Sequence, residues 1–173
     1  GPASLSMREV ARRAGCTHQA PYHYFQGREA ILVVLVEEGY RRLEEALAQA
    51  RRANGGSRAD VITRAAGCAY LTCALANPGV FRIMFRSDMY DSDAHPQVRT
   101  ASLAARAQLR SLASLTYGTD DPRAELTLWA YVHGLATLAL DGPPALGVGE
   151  QVRRCALEAI DAPYFVDGLR GVR

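Results

Sequence analysis

Residues 4–28, SLSMREVARRAGCTHQAPYHYFQGR, carry two short helix signals separated by a glycine-containing turn, and this spacing constrains the fold more than any other feature of the chain. Ser6 followed by Glu9 has the form of a capping box, and Val10, Ala11 and Ala14 supply one apolar face, so a first helix is expected from about Met7. Gly15 can take the left-handed conformation that ends it. Thr17 is the next residue able to cap a helix, which starts the second helix at His18 and runs it to Phe25. Only Gly15 and Cys16 separate Ala14 from Thr17. Helices joined that tightly cross steeply, and the second is then free to enter a DNA major groove.

The 173 residues suit one ordinary domain, or a small head fused to a larger core, and 49% hydrophobic content is ample for burial. The overall charge of +2 says little, but its distribution says more. Through Arg28 the basic residues Arg8, Arg12, Arg13 and Arg28 face Glu9 alone, a net +3. That balance suits phosphate binding, and it also suits a plain solvated arginine face. All twenty basic residues are arginine, as expected of a GC-rich bacterial genome.

Cys16, Cys68, Cys73 and Cys155 form no C-x-x-C pair, and no histidine stands at ligand spacing from them, so neither a metal nor a cofactor is expected. They read as small buried residues in a reduced cytoplasm, with redox sensing as a minor alternative. No signal peptide is visible. The longest uncharged run, Leu126 to Leu140, is fifteen residues and includes Thr127, Trp129, Tyr131 and His133, too short and too mixed to span a bilayer. The expected location is cytoplasmic, with no membrane partner.

Beyond the head the chain reads as helix punctuated by loops, with no sustained period-two alternation, and the expected fold is all-α. Leu32, Val36, Gly39 or Tyr40, Leu43 and Leu47 form the apolar stripe of one long helix from Arg28 to about Ala53, with Glu37-Arg41 and Glu38-Arg42 as outward pairs. Further helices are expected from Ser57 or Arg58 to about Ala76, over PGVFRIMF after Asn77, from Pro96 to Leu115, from Asp121-Pro122 to Asp141, and from Glu150 to Ile160. DGPPALGVG is expected as a loop, and the tail APYFVDGLRGVR carries no clear assignment. A head over residues 1–45 and a core over 46–173 follow from this order.

The helix over 126–140 is apolar all round and must be covered on every side. A second copy of the chain is the natural cover. Leu135 and Leu138 on this helix, and Val152, Cys155, Ala156, Ala159 and Ile160 on the next, would then build a two-fold four-helix interface, with a buried central helix in a monomer as the alternative.

The runs REVARRAG, Cys16-Thr17, APYHYF and GREAIL together resemble the DNA-binding segment of the TetR family of bacterial transcriptional regulators, over Leu5 to about Leu32. Family members begin with a helix before this segment, so the chain is expected to be truncated there, or Gly1-Pro2 to be a cloning scar. Pro21, the fourth residue of the expected second helix, departs from the pattern but falls in the first turn, where a missing N–H costs least. The resemblance implies a double-stranded DNA operator, with Thr17 capping the recognition helix and touching a phosphate. It places His18, Gln19 and His23 near base edges, Tyr22 and Tyr24 on backbone phosphates, and Arg28 at the next phosphate, with Phe25 in the core.

NPGVFRIMF followed by Trp129-Ala130-Tyr131-Val132-His133-Gly134 is similar to the ligand-binding domain of a TetR subfamily with a Trp-His-Gly signature. Trp129 and His133, four apart, share a helix face and serve equally well as core packing or as ligand contacts. Tyr70, Cys73, Phe81, Met84, Phe85 and Met89 are candidates to line a cavity against that face, or else ordinary packing. The leading expectation is a homodimeric, ligand-responsive regulator, a repressor, that binds a palindromic operator and a small, mainly apolar effector. An enzyme using His133 as base with Cys73 or Asp141 lacks a nucleophile elbow, a phosphate loop and paired metal ligands. A helical small-molecule-binding module without DNA binding remains the alternative.

Overall fold

The computed structural model describes residues 6–86, 88–142 and 150–161, and these fold entirely into helices and their connections. The order is α1 (Met7–Arg13), α2 (Ala20–Tyr24), α3 (Arg28–Ala53), α4 (Ala59–Ala76), α5 (Pro78–Met84), α6 (Pro96–Tyr117), α7 (Pro122–Asp141) and α8 (Glu150–Asp161). The opening residues 1–5, most of the DGPPALGVG segment and the tail from residue 162 lie outside the described residues.

Ser6 is the extended N-cap of α1, as its position predicts, but its side chain makes no capping bond. The reciprocal box fails because Glu9 is taken by its own helix: Arg12 Nε donates to it at 2.8 Å and Arg13 Nε at 2.7 Å. Gly15 turns the chain at φ 68°. The second helix starts two residues later than expected, at Ala20 rather than His18. Pro21 is the cause. It has no N–H to donate back to Thr17, so the entry tightens into i→i−3 bonds, Ala20 N to Thr17 O and Tyr22 N to Gln19 O, both 3.0 Å. Gln19 thereby replaces Thr17 as the N-cap residue, and no side chain caps α2.

α3 matches its stripe: Leu32, Val36, Gly39, Leu43 and Leu47 are buried, while Glu37–Arg41 and Glu38–Arg42 pair outside at 2.7 Å. It forms the centre of the bundle, with α4, α5 and α6 against it; α7 packs on α4 and α6, and α8 on α4 and α7. Pro78 and Pro96 open α5 and α6 where a missing donor is harmless, and Gly118 ends α6 in the left-handed region at φ 67°. Asp121 caps α7 by accepting from Arg123 N. The core joins Val36, Leu47, Tyr70, Leu71, Leu112 and Ile160, each contributing roughly 1.5–3 kcal/mol of burial for the aliphatic side chains. Two buried polar features cross it. Thr63 and Thr116 share a 2.7 Å hydroxyl bond, and Glu125 lies buried between Arg106 and Arg110.

Gly39 is where α5 approaches α3 most closely: a Cβ there would come within 2.6 Å of Met84 Sδ and 2.7 Å of Val80 Cγ1. The cysteines are less buried than expected. Cys16 and Cys155 are exposed because one sits in the head's turn and the other on the outer side of α8; Cys68 and Cys73 are half-buried. On α7, Leu128, Val132 and Ala136 face the core while Leu126 and Leu138 face outward.

Candidate DNA-binding face and ligand cleft

The head presents a polar face by turning its few apolar residues inward. Met7, Ala11 and Pro21 are buried, and Phe25, one turn beyond Pro21, is half-buried. Spacing then forces the intervening residues outward. Thr17, His18, Gln19, Tyr22, His23 and Tyr24 are all exposed, and Tyr24 at 83% is the most exposed large aromatic residue described. Arg28 is half-buried at the first residue of α3. Six of the seven residues expected to meet DNA thus lie exposed on α2 or its entry, and the seventh, Arg28, opens α3 just beyond it. Arg12 and Arg13 are less available than their charge suggests. Their guanidinium bonds hold the Glu9 carboxyl down to about 2, so the three side chains form one ion-paired surface cluster in which one of the two positive charges is offset.

In the core, α5 and α7 bring the expected aromatic residues into one cluster. Phe85 lies 4.5 Å from the His133 ring and 6.1 Å from Trp129, while Phe81 lies 5.4 Å from His133. Tyr70 stands behind them, fully buried. Trp129 Nε1 donates to its hydroxyl at 3.3 Å, and the same oxygen lies 2.9 Å from His133 Nδ1. An indole N–H can only donate, so the tyrosine oxygen accepts it, and the hydroxyl and Nδ1 share a second hydrogen bond. Burial pushes the imidazole below its ordinary value, which keeps it neutral, and burial pushes the Tyr70 phenol up.

A cleft of about 560 Å³ opens against this cluster, with Met84, Phe85, Trp129 and His133 in its wall. Tyr70 does not reach it and acts through the hydrogen bonds behind. Cys73 and Phe81 line a separate cleft of about 260 Å³ between α3, α4 and α5, and Met89 lies in the turn after α5, apart from both. The sequence reading did not assign Tyr40, Tyr90, Val98, Leu126 or Ala130 to the cleft. Tyr40 had a signal, since it stands beside Gly39 in the α3 stripe. Its hydroxyl donates to Met84 O at 2.7 Å, and that of Tyr90 donates to the same oxygen at 2.8 Å. Two tyrosines thus satisfy the carbonyl that ends α5 and fix the cleft's floor. Arg82 fixes the other side of α5 by a bidentate bond to Asp141, with Nη2 to Oδ1 at 2.7 Å.

Of the residues expected between two copies, Val152, Ala156 and Ile160 are buried within this subunit against α4 and α7. Leu135 is half-buried and Leu138 is 43% exposed. No three His, Cys, Asp or Glu side chains gather to hold a metal among the described residues, and no described helix is long and apolar enough to cross a membrane.

Comparison with known proteins accounts for both regions. Residues 1–35 match bacterial regulatory proteins of the tetR family, and residues 63–162 match the tetracyclin repressor-like C-terminal domain. A protein of unknown function from Rhodococcus sp. RHA1 is 31% identical, with a TM-score of 0.73 over 96% of this chain and 85% of that one. The candidate regulatory protein SCO4313 shares the fold at 20% identity, with a TM-score of 0.64 over 92% of this chain and 86% of that one. A helix-turn-helix with an exposed polar second helix, joined by one long helix to a helical core of the same kinship, leaves one conclusion: the chain belongs to the TetR family of bacterial transcriptional regulators.

Proposed function

We propose that this regulator acts as a homodimeric repressor, binding a palindromic operator through α2 and releasing it when a small, mainly apolar effector enters the core. The observation that carries the reading is the outward display of Tyr22, His23 and Tyr24 on a helix whose only buried residue is Pro21, with His18 and Gln19 exposed at its entry. Gln19 suits adenine through its amide, and the tyrosine hydroxyls and Arg28 suit phosphates. We divide the chain into a head over 1–45 and a core over 46–173, with α3 crossing the division and belonging mechanically to both. The aromatic cleft supports the effector role, and the Trp129–Tyr70–His133 bonds support membership of the subfamily with the Trp-His-Gly signature. The cytoplasm, where the operator lies, is the working compartment.

Selection from genomic fragments followed by gel shift tests this function. An inverted repeat should be retained by a dimer, with affinity falling by orders of magnitude as salt rises from ~50 to ~200 mM because phosphate contacts release counterions. Equal binding to selected and random DNA would leave a helical small-molecule-binding module in its place.

A further inference from the structure

Among the described residues, no ionised side chain lines the aromatic cleft. Burial lowers the pKa of the His133 imidazole and raises those of the Tyr40 and Tyr90 phenols, and all three are neutral as a result. Met84, packed on Gly39, separates this cleft from the smaller one, so Glu38 and Arg42 at the smaller rim stand outside it. An ion bound here would give up its hydration and meet no counter-charge.

Hydrogen-bonding capacity is scarce as well. The Tyr40 and Tyr90 hydroxyls both donate to Met84 O, and Ser102 Oγ donates to Arg99 O at 2.9 Å, so three donors of the wall are spent on backbone. His133 is tied to Tyr70 through Nδ1. The opposite edge of its ring carries Nε2, and no bond to that nitrogen exists among the described residues.

The rings supply the shape. Phe85 is inclined by 51° to Trp129 and by 72° to His133, and Trp129 by 68° to His133, so the three form a corner that offers both ring faces and ring edges. A flat aromatic guest meets both at once, in the offset and edge-to-face arrangements that aromatic pairs prefer. Leu126, 61% exposed, and the exposed Ala130 stand at the open side. The volume, about 560 Å³, lies within the roughly 300–1,000 Å³ typical of small-molecule sites.

We propose that the effector is an uncharged fused-ring aromatic molecule with one hydrogen-bonding substituent, its rings in the corner of Phe85, Trp129 and His133 and that substituent on His133 Nε2. This rests on the ligand-binding reading above, and it adds a charge limit, a shape and one polar anchor to it.

Equilibrium dialysis of the full chain against one carbon skeleton in several forms tests the proposal. The probes are 2-naphthol, naphthalene, decahydro-2-naphthol, 2-naphthoate and (2-naphthyl)trimethylammonium. 2-Naphthol should bind most tightly, and its saturated counterpart roughly tenfold more weakly, the size of one or two ring contacts. The anion and the cation should each bind at least about tenfold more weakly, because neither finds a counter-charge. His133→Phe should weaken 2-naphthol by roughly three- to tenfold and leave naphthalene unchanged, a difference that general damage to the cleft would not produce. In the native chain the Nε2 nitrogen resonance of His133 should move far more with 2-naphthol than with naphthalene, which keeps the anchor testable if the variant does not fold. Ala130→Trp, an exposed change at the open side, should block every probe. Equal or tighter binding of either ion overturns the charge limit, and equal binding of the saturated alcohol overturns the aromatic class. If no probe binds, the proposed ligand class is wrong. If 2-naphthol binds as expected but neither it nor any other ligand of the cleft alters operator affinity, the ligand class stands and the effector reading beneath it falls.

Discussion

Tyr70 anchors His133 from behind: its hydroxyl lies 2.9 Å from Nδ1 and accepts the indole N–H of Trp129 at 3.3 Å. Because burial lowers the folded-state value of His133 below the ordinary 6.5, the folded protein keeps the ring neutral where the unfolded chain takes up a proton. The unfolded state then binds more protons, so stability should fall as pH drops below about 6.5 toward the depressed folded value. Urea titrations across this range should show that slope in the native protein and a flatter one in His133→Gln. An equal slope in both would show that another group is responsible.

Glu125 should be the second acid-sensitive point. Burial pushes its carboxyl up, but the guanidinium groups of Arg106, at 2.5 Å, and Arg110, at 3.0 Å, pull it down further, and the net shift is downward. Its contribution is therefore complete above the ordinary value of 4.5 and disappears as pH falls through the depressed one. Glu125→Ala should cost about 1–3 kcal/mol at neutral pH through the loss of both charge-assisted bonds, and no more than that because the two arginines it frees are solvated. Thermal unfolding at neutral and acidic pH checks both statements.

Gly39→Ala should destabilise the protein although alanine is the better helix former by about 1 kcal/mol. Met84 Sδ can move away from the new methyl, but Val80 Cγ1 belongs to a stiff β-branched side chain on the short α5. We expect a net loss of about 1–3 kcal/mol from overpacking, read as a lower urea midpoint. A stabilised Gly39→Ala would mean that α5 yields freely.

Two substitutions test whether α7 forms the proposed dimer surface while α8 belongs to the subunit core. Leu138 is partly exposed, so Leu138→Glu should leave the fold intact and give monomers by light scattering if α7 meets a second copy. Ala156 is buried against its own subunit, so Ala156→Arg should unfold the core. A folded, dimeric Leu138→Glu would place the interface elsewhere.

At the DNA face, Tyr24→Phe and Arg28→Ala should weaken binding to all sequences, because their expected contacts are phosphates. Gln19→Ala should relax preference at one base position by roughly 1–3 kcal/mol. Gel shifts against an operator and single-base variants distinguish the two patterns.

Helix periodicity made most of the fold legible. The stripe from Leu32 to Leu47, the proline-opened helices at Pro78, Pro96 and Pro122, and the turn at Gly15 all depend on residues close in sequence. Competition among local partners hid the rest. Glu9 had two arginines within reach as well as a backbone N–H, and the arginines won. Pro21 removed the donor that a helix from His18 would have used. The aromatic side of the cleft was visible as types at helical spacing, but its division at Met84 was not, because Gly39 and Met84 meet only after α5 folds back on α3. Glu125 gave no sign of burial either, since Arg106 and Arg110 reach it from a different helix.

α3 runs unbroken through 26 residues, a rod of about 39 Å at the usual rise per residue. One end carries the reading helix and the middle carries Gly39 and Tyr40, against which α5 rests. Such a rod works as a lever arm. A tilt of about 5° at its far end displaces its tip by about 3 Å over that length, close to the rise of one base pair, about 3.4 Å. A head carried at that tip would shift by about one base-pair step for a small change where α5 rests on α3.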